Sequence, residues 1–346
     1  GNRFRFNEDN HLPFDLVIVD EASMLDINMW VRLIRAIGPK TKLIVLGDKD
    51  QLASVEAGSI LGDICRGDNS FSETILHVIA KLTGASIPKA KECIPDINDC
   101  IVFLTKSYRF SHNSGIKLLA DAINEQDADT VLQLLTDDQF RDVDWLDHGK
   151  EARDKVINEY GLDLYHHFSG LSQEKRMEAS NKRKILCAIR KSKFGVESIN
   201  LDVEIGIKRK KGLFWNNEWY DGRLIMAVRN DAALRVRNGE MGIYNHQLKK
   251  IRFEGEHKVE FSPVRISDYE CAYAITIHKS QGSEFDNVAI VLPERFSGVL
   301  SKEILYTAVT RARKNTLVIG SKEIIKKTVE RSVNRKSGLK GKIWHK

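Results

Sequence analysis

LVIVDEASM, residues 16–24, decides the fold of this chain. Four apolar residues, Leu16–Val19, run directly into two carboxylates, Asp20 and Glu21. A short apolar run rich in β-branched residues is typical of a strand buried on both faces of a parallel sheet. Carboxylates are costly to bury unless a cation or a hydrogen-bond donor meets them. At the carboxyl end of a parallel strand that partner is commonly a metal–phosphate complex, so the stretch indicates an α/β fold with a nucleotide site.

The same pattern also occurs where a strand simply leaves a sheet and enters a polar loop. In P-loop NTPases it is the Walker B motif, in which the first acid binds Mg²⁺ and the second orients or deprotonates the attacking water. The stretch alone fits both interpretations, and the rest of the chain decides between them.

Length and composition predict a multidomain globular protein. The chain has 346 residues, 42% hydrophobic and 29% charged, which indicates two or three domains. No apolar run approaches the roughly 20 residues that span a membrane, and no signal sequence opens the chain, so we expect no membrane association. Five dispersed cysteines without a CxxC pair favour reduced thiols in a cytoplasm over disulfides or a zinc site.

Positive charge is concentrated in the last 45 residues of the chain. The net charge is +6, yet residues 302–346 contain thirteen Lys or Arg and only three Glu. A basic segment of this kind fits contact with nucleic acid. It fits a solvated, frayed terminus equally well.

The first part of the chain alternates between strands and helices. After the strand Leu16–Val19 the pattern predicts a helix over Met29–Ile37, a second buried strand over Lys42–Gly47 and a third over Cys100–Leu104. This alternation predicts a parallel α/β sheet.

The second part has two textures. Residues 114–170 are helical and polar, and Lys184–Ile189 begins a second α/β unit. Between Trp219 and Tyr269, short strand-like pieces separated by glycine turns predict a small antiparallel β barrel. The barrel looks inserted, because α/β texture returns after it. The barrel strands are predicted over Leu224–Val228, Glu240–Tyr244, Lys249–Phe253 and Lys258–Phe261, and the later strands over Cys271–Ile277, Val288–Leu292 and Leu317–Ile319.

Two segments after predicted strands carry candidate phosphate contacts. GDKDQL, residues 47–52, would place Asp48 and Gln51 beside Asp20 if the first two strands are neighbours. A glutamine there can hydrogen-bond a γ-phosphate and the attacking water, whereas the plain alternative is an Asx turn with an exposed amide. Arg109 follows the third strand, where it is either solvated or an arginine finger.

A loop and a helix in the last third complete the set. YAITIHKSQGSEF, residues 273–285, ends a strand in a polar loop that can offer N–H groups and hydroxyls to a phosphodiester, with Glu284 available for a ribose hydroxyl. YTAVTRAR, residues 306–313, predicts a helix carrying Arg311 and Arg313. Residues two apart do not share a helix face, and we expect Arg311 to reach the nucleotide.

An aromatic run, GLFWNNEWY, occupies residues 212–220. Its rings could stack on bases. The plainer interpretation, which we favour at this point, is that they pack the barrel against its host domain.

These segments resemble helicase motifs. VDEASM, GDKDQL, the arginine of YRF, HKSQGSEF and YTAVTRAR occur in the order of motifs II to VI of superfamily 1 helicases. The resemblance is greatest to the RecD family, the alpha subunits of exodeoxyribonuclease V, and it covers nearly the whole chain. Further RecD-like stretches lie at Phe194–Glu197 with Asn200, and at residues 229–231 and 238–242.

The resemblance implies a fold and a function. The fold would be α/β, with two RecA-like P-loop NTPase domains, the first incomplete, and a small SH3-like β barrel inserted in the second. The bounds would be 1–114 for the first domain, 115–220 with 271–346 for the second, and 221–270 for the barrel. The function would be ATP-driven 5′-to-3′ DNA unwinding in recombinational repair, with single-stranded and duplex-end DNA and RecB-like and RecC-like subunits as partners. The alternatives are a stand-alone RecD-like or relaxase-type helicase and a non-catalytic DNA-binding or assembly module.

It also implies residue roles, with ATP and Mg²⁺ as cofactors. Asp20 would hold Mg²⁺ and Glu21 would activate water, while Gln51, Arg109 and Arg311 would contact the γ-phosphate. Gly282 and Glu284 would contact the rest of the nucleotide. The DNA strand would be bound by Thr276, His278, Lys279 and Ser280.

One element of the family is absent from these 346 residues. No G-x-x-x-x-G-K-[ST] occurs, and the nearest segment, Gly38–Thr41, lies between a helix and a strand, the wrong order for a phosphate cradle. In the family the cradle precedes Walker B, so we expect the sequence to continue before Gly1 and this chain alone to hydrolyse little ATP. There is also no carboxylate cluster at nuclease spacing, and in the family the nuclease belongs to a partner subunit.

Overall fold

The computed structural model describes residues 4–53, 59–85, 96–109, 114–253, 255, 258–333 and 338–344. The chain forms two compact units. Unit 1 comprises Gly1–Tyr108 and Val333–Lys346, and unit 2 comprises Arg109–Ser332. Within the described ranges, no helix has the length and apolar character needed to cross a membrane.

The last residues of the chain, from Val333 on, belong to unit 1, whereas the helicase resemblance implies that residues 271–346 lie in the second domain. The Trp344 indole N–H donates to the Asp63 carbonyl at 3.0 Å. Leu339, in the short helix Leu339–Ile343, packs against the core of unit 1. These two contacts hold the tail on unit 1. The basic composition of the tail does not predict them.

Unit 1 contains a parallel pair of strands and short helices. Its elements are β1 Leu16–Val19, α1 Ile27–Ala36, β2 Lys42–Val45, α2 Ile60–Ile64 and α3 Glu73–Thr83. Leu16 lies opposite Lys42 and Val19 opposite Val45, which confirms the predicted strands as neighbours. α1 begins where the Asp26 carboxylate accepts the Met29 N–H at 2.8 Å, a typical N-cap.

The prediction that both strands are buried on both faces is wrong for the described residues. One face of the pair packs on a cluster formed by Ala22, Trp30, Ile60 and Leu61. The other face is open: Leu16 is 46% exposed, Ile18 57% and Ile44 46%. An apolar run predicts that a segment is a strand, but whether one or both of its faces are covered depends on elements elsewhere in the protein.

The third predicted strand is also wrong. Residues 101–107 form no ladder, and a 3₁₀ turn, Asp96–Cys100, precedes them. The Asn69 side chain donates to the Phe103 carbonyl and accepts the Phe103 N–H, both at 2.7 Å. A side-chain amide thus satisfies the backbone groups that a neighbouring strand would have paired.

Unit 2 contains ten strands and eight α-helices in its described residues. The strands are β3 Val143–Leu146, β4 Arg183–Cys187, β5 Leu224–Ala227, β6 Met241–Asn245, β7 Lys250–Phe253, β8 Glu260–Phe261, β9 Tyr269–Cys271, β10 Ala274–Thr276, β11 Phe285–Val291 and β12 Ala312–Ile319. The helices are α4 Gly115–Asn124, α5 Ala128–Thr136, α6 Lys150–Lys155, α7 Asp163–His167, α8 Gln173–Ser180, α9 Val196–Lys211, α10 Lys302–Val309 and α11 Lys322–Glu330. A π-helical segment, Val156–Leu162, joins α6 to α7.

The main sheet of unit 2 is parallel, in the order β10-β4-β11-β12-β3. The apolar parts of β4 and β11, Ile185–Cys187 and Val288–Val291, are fully buried, as their sequence predicts. The edge strand β3 was not predicted from the sequence, because Asp144 interrupts its apolar residues.

The short strands between α9 and β10 form a five-stranded antiparallel sheet in the order β8-β7-β6-β5-β9. This confirms the four strands predicted there, to within a residue or two. No described ladder joins β8 to β9, so the SH3-like barrel stays a prediction. The segment lies in the chain between elements of the parallel sheet, with Cys271 ending β9 and Ala274 beginning β10.

A buried polar network joins this sheet to α9. The Arg223 guanidinium, 7% exposed, donates to Glu204 at 2.9 Å and to Glu218 at 3.3 Å. The Tyr220 hydroxyl lies 3.2 Å from Glu204 and 3.3 Å from the Tyr273 hydroxyl, and burial raises the pKa of both tyrosines. Directional bonds of this kind fix how the antiparallel sheet is oriented on α9.

Lys184, the second residue of β4, is fully buried. Its ammonium group lies 3.3 Å from the Ala272 carbonyl, 3.5 Å from Met241 Sδ and 5.5 Å from the centre of the Phe285 ring. Desolvation by burial lowers the pKa of Lys184 to about 7.

We expect Lys184 to make the stability of unit 2 depend on pH. Between about pH 7 and 10.5 the unfolded chain keeps a proton that folded Lys184 has released. The contribution of Lys184 to the free energy of unfolding therefore rises with pH across this interval, by on the order of 5 kcal/mol, and the cost of the buried charge is fully present below it. Lys184→Met should remove the rise and stabilise the protein at pH 6, as measured by urea unfolding at several pH values. The exposed Lys182→Met is the matched control, and an unchanged pH profile in Lys184→Met would contradict the assignment.

Candidate nucleotide and nucleic-acid site

The carboxyl end of β1 presents two acids in different settings. Asp20 is exposed, and its Oδ1 accepts the Glu21 N–H at 2.8 Å. Glu21 is half-buried and has φ 51° and ψ 38°, a left-handed conformation that costs a residue with a side chain about 1 kcal/mol or more. Strained backbone of this kind concentrates at functional sites, where it aims a particular side chain.

The segment after β2 lies against these acids. The Leu46 N–H donates to the Val19 carbonyl at 2.7 Å, and the Ala22 N–H donates to the Leu46 carbonyl at 2.9 Å. A Cβ at Gly47 would come within 2.7 Å of the Leu61 side chain and 3.1 Å of the Ala22 nitrogen, so a glycine is required for this approach. The two predicted motifs therefore meet at one end of the strand pair.

Asp48 and Gln51 form a local turn. Asp48 accepts the Asp50 N–H at 3.0 Å and the Gln51 side-chain amide at 3.1 Å. The Gln51 amide oxygen is buried and has no hydrogen-bond partner among the described residues. The segment thus combines the Asx-type turn of the plain interpretation with an acceptor that a ligand could satisfy.

The donor set at β1 fits Mg²⁺ only as part of a nucleotide complex. No group of three or more His, Cys, Asp or Glu side chains in the described ranges could hold a metal by itself. Mg²⁺ commonly takes one or two protein carboxylates and completes its shell with water and substrate phosphates. Asp20, exposed at a strand end, is suited to be such a single ligand.

In unit 2, Glu284 lies between two arginines. Its carboxylate is in contact with the Arg109 guanidinium and accepts Arg313 Nε and Nη2 at 2.9 Å each. Arg109 also donates to the Thr310 carbonyl at 3.0 Å. The structure thus brings together the predicted residues Arg109 and Glu284, and it adds Arg313.

Arg311 is placed differently from the prediction. α10 ends at Val309, so Arg311 lies in the turn before β12 and Arg313 on the strand itself. Arg311 is 3% exposed and donates to the carbonyls of Thr307 and Ser283 at 3.3 and 3.0 Å. In this structure its guanidinium binds backbone carbonyls, and the expected γ-phosphate contact stays a prediction.

The predicted DNA-binding loop is a short 3₁₀ helix, Ile277–Ser280, after β10. Thr276 caps it by accepting the Lys279 N–H at 3.4 Å, and His278 is half-buried. Ser280 is fully buried and donates to the Ile277 carbonyl at 2.7 Å, and its contact with DNA stays a prediction. Gly282, with φ +74°, takes the left-handed conformation that favours glycine.

Sequence reasoning missed the partners of Lys279. Glu270 accepts Lys279 Nζ at 3.5 Å and Arg190 Nη2 at 2.7 Å. Burial alone would raise the pKa of Glu270, but hydrogen bonds from Arg190 and charge from Lys279 hold it below its ordinary value. Arg190 follows β4 and Glu270 belongs to β9, so only the folded arrangement reveals this cluster.

Comparison with known families agrees with these motifs. The UvrD-like helicase C-terminal domain matches residues 271–319, and an AAA domain family matches residues 7–92. The RecD subunit of the RecBCD enzyme from Haemophilus influenzae is 34% identical over 363 aligned residues, which cover 98% of this chain. The chain is therefore similar to this RecD subunit over nearly its whole length. It spans only 56% of the length of that relative, a little over half.

Two further similarities are weaker. The ATP-dependent RecD2 DNA helicase of Deinococcus radiodurans is 25% identical, over 92% of the RecD-like chain and 38% of that protein. Among solved structures, Bacteroides Pif1 bound to ssDNA aligns with a TM-score of 0.47 and 18% identity, over 90% of this chain and 72% of that one. A superposition of that quality carries no functional conclusion.

Proposed function

We propose that this RecD-like chain is part of an ATP-dependent DNA helicase that moves 5′ to 3′ on single-stranded DNA in recombinational repair. The observation that supports it most is the meeting of Asp20 and Glu21 with the Gly47–Gln51 segment at one end of a parallel strand pair. Acid pairs and a γ-phosphate sensor at this position are the working parts of P-loop motors. Similarity to RecD over 98% of the chain supports the same function.

In unit 1, Asp20 would hold Mg²⁺ and Glu21 would orient and deprotonate the attacking water. Gln51, through the amide oxygen that has no partner among the described residues, would respond to the γ-phosphate and its water. When bound, the metal would supply charge neutralisation on the phosphates. The left-handed backbone of Glu21 supports this role, because strained residues concentrate at functional sites.

In unit 2, Arg109 would stabilise charge on the transferred phosphoryl group, and Glu284 and Gly282 would contact the ribose and its surroundings. Arg311 would reach the γ-phosphate, and its bonds to the Thr307 and Ser283 carbonyls would hold it beside the Ser283–Glu284 backbone. His278, Lys279 and Thr276 would bind the DNA backbone, with Ser280 bracing their turn from inside.

Partners and setting follow from the relatives by analogy. RecB-like and RecC-like subunits, a duplex DNA end and a cytoplasmic location would suit a RecD subunit, whereas a RecD2-like protein would act alone. The identity of 34% to RecD against 25% to RecD2 favours the subunit. Affinity purification from the native host that recovers large helicase and nuclease partners would support the subunit, and recovery of this protein alone would favour the stand-alone enzyme.

Turnover by this chain alone is expected to be very low. Its 346 residues contain no G-x-x-x-x-G-K-[ST] cradle, so the lysine and backbone N–H groups that hold the β- and γ-phosphates are not supplied. In a coupled ATPase assay with single-stranded DNA, we expect a rate indistinguishable from the spontaneous one. Robust turnover that disappears in Glu21→Gln would show instead that the chain is a complete motor.

A further inference from the structure

We propose that residues 208–215, the basic-aromatic segment, form a second contact for single-stranded nucleic acid. The segment comprises the four consecutive cations that end α9, Lys208–Lys211, followed by Gly212, Leu213, Phe214 and Trp215. The choice of ligand rests on the proposed function. The site itself rests on the exposed rings and the cations of unit 2.

The aromatic run of residues 212–220 divides into two parts. Trp219 packs on the core of the antiparallel sheet and Tyr220 is 3% exposed, as the packing interpretation requires. Phe214 and Trp215 are 78% and 86% exposed. The prediction that the whole run packs the inserted sheet against its host is therefore wrong for these two rings, and packing gives no reason for them.

The two rings stand on an ordered loop. The Leu213 N–H donates to the Lys208 carbonyl at 2.9 Å, and the Asn217 N–H donates to the Phe214 carbonyl at 3.1 Å. Lys208 Nζ donates to the Trp215 carbonyl at 3.0 Å. Because the backbone is already held, a base that stacks on either ring has less conformational freedom to remove.

The charge around the rings suits a polyanion. No Asp or Glu occurs between Glu204 and Glu218, and both of these acids pair with Arg223. Cations at a helix C-terminus also complement the helix dipole. The helix dipole explains the four cations but not the two exposed rings. Exposed aromatic faces beside cations are the combination by which proteins bind single strands without base-specific hydrogen bonds.

The segment lies away from the loop proposed to hold the DNA strand. Ile277–Ser280 follows the carboxyl end of β10, which runs parallel to β4. Asn200 of α9 binds the Cys271 and Ala274 carbonyls, at the amino end of β10. Lys208 lies two helical turns further along, roughly 12 Å beyond that edge. The two surfaces would therefore contact separate stretches of one strand, or separate strands.

The test measures the binding of a labelled oligothymidylate to the whole chain by fluorescence anisotropy, over a range of salt concentrations. Phe214→Ala/Trp215→Ala should weaken binding at least about fivefold, since each stacked base contributes strongly. Lys210→Gln/Lys211→Gln should make the salt dependence shallower, by about 0.7 in slope for each phosphate that is no longer neutralised. Phe14→Ala, which removes a ring that is 58% exposed in unit 1, should change neither.

Two further arms separate the alternatives. An abasic oligonucleotide of equal length should bind the wild-type chain more weakly than oligothymidylate, with little further loss in the aromatic variant. Polyglutamate that competes as well as oligothymidylate would overturn the proposal and indicate an acidic protein partner. Circular dichroism confirms that each variant is folded.

The outcome also separates this inference from the proposed function. If Lys279→Gln loses binding while the aromatic variant binds normally, the second contact is overturned and the loop after β10 stands. If the aromatic variant alone loses binding, the second contact stands and the role of Lys279 falls. If the wild-type chain binds no oligothymidylate, the second contact is overturned, while ATP hydrolysis by the complete gene product still tests the motor.

Discussion

Replacing Glu21 with Gln in the complete gene product is expected to lower DNA-stimulated ATP hydrolysis by at least about 100-fold. The isosteric amide keeps the shape of the side chain but cannot accept the proton of the attacking water, and general bases typically contribute 10²–10⁴-fold. Steady-state turnover with saturating single-stranded DNA measures the effect, and equilibrium binding of a fluorescent ATP analogue should be nearly unchanged.

The matched control for Glu21 is Glu8→Gln, which removes an exposed acid of the same unit that is paired with Arg35 at 3.7 Å. Exposed pairs of this kind contribute little, so its turnover should stay within about twofold of wild type. If Glu21→Gln kept more than a tenth of the wild-type rate, Glu21 would not be the base.

Replacing Arg109 with Ala in the same protein is expected to lower kcat by about 10³-fold. A guanidinium on the transferred phosphoryl group is worth 10³–10⁵ in rate, and its planar fork is not reproduced by an ammonium group. Arg109→Lys should therefore restore little activity. Single-turnover hydrolysis separates this loss from slower product release.

Arg313→Ala is the informative comparison for Arg109, because both arginines bind the Glu284 carboxylate. Arg313 is 54% exposed at its side chain and has no predicted phosphate role, so its loss should cost less than about tenfold. Equal losses in the two variants would mean that Arg109 acts by positioning Glu284 and not on phosphate.

Local sequence pattern was enough to predict the first two strands and the loops that follow them. The apolar runs at residues 16–19 and 42–45 became a parallel pair, and the acids and the Gly47–Gln51 segment meet at its end. Such predictions succeed because strand propensity, turn chemistry and the parallel rule all act over a few residues. The inserted strands were also predictable, since glycine turns separate them.

Coverage and side-chain direction were not predictable in the same way. Whether Ile18 and Ile44 are buried depends on elements from other parts of the chain that pack on them. Whether residues 100–104 form a strand depends on a neighbouring strand, and here the Asn69 side chain binds the Phe103 backbone in its place. Arg311 and Ser280 have the residue types of ligand contacts, yet backbone carbonyls within reach hold both inside. A motif specifies residue types, and only the packed structure shows which of them face outward.

Strand separation by the complete gene product tests the central claim most directly. The substrate is a duplex with a 5′ single-stranded tail, and the readout is the fluorescence of the released strand with and without ATP. We expect unwinding that requires ATP, that fails on a duplex tailed only at the 3′ end, and that is lost in Glu21→Gln. Equal unwinding without ATP, or by Glu21→Gln, would contradict the assignment of this chain to an ATP-driven helicase.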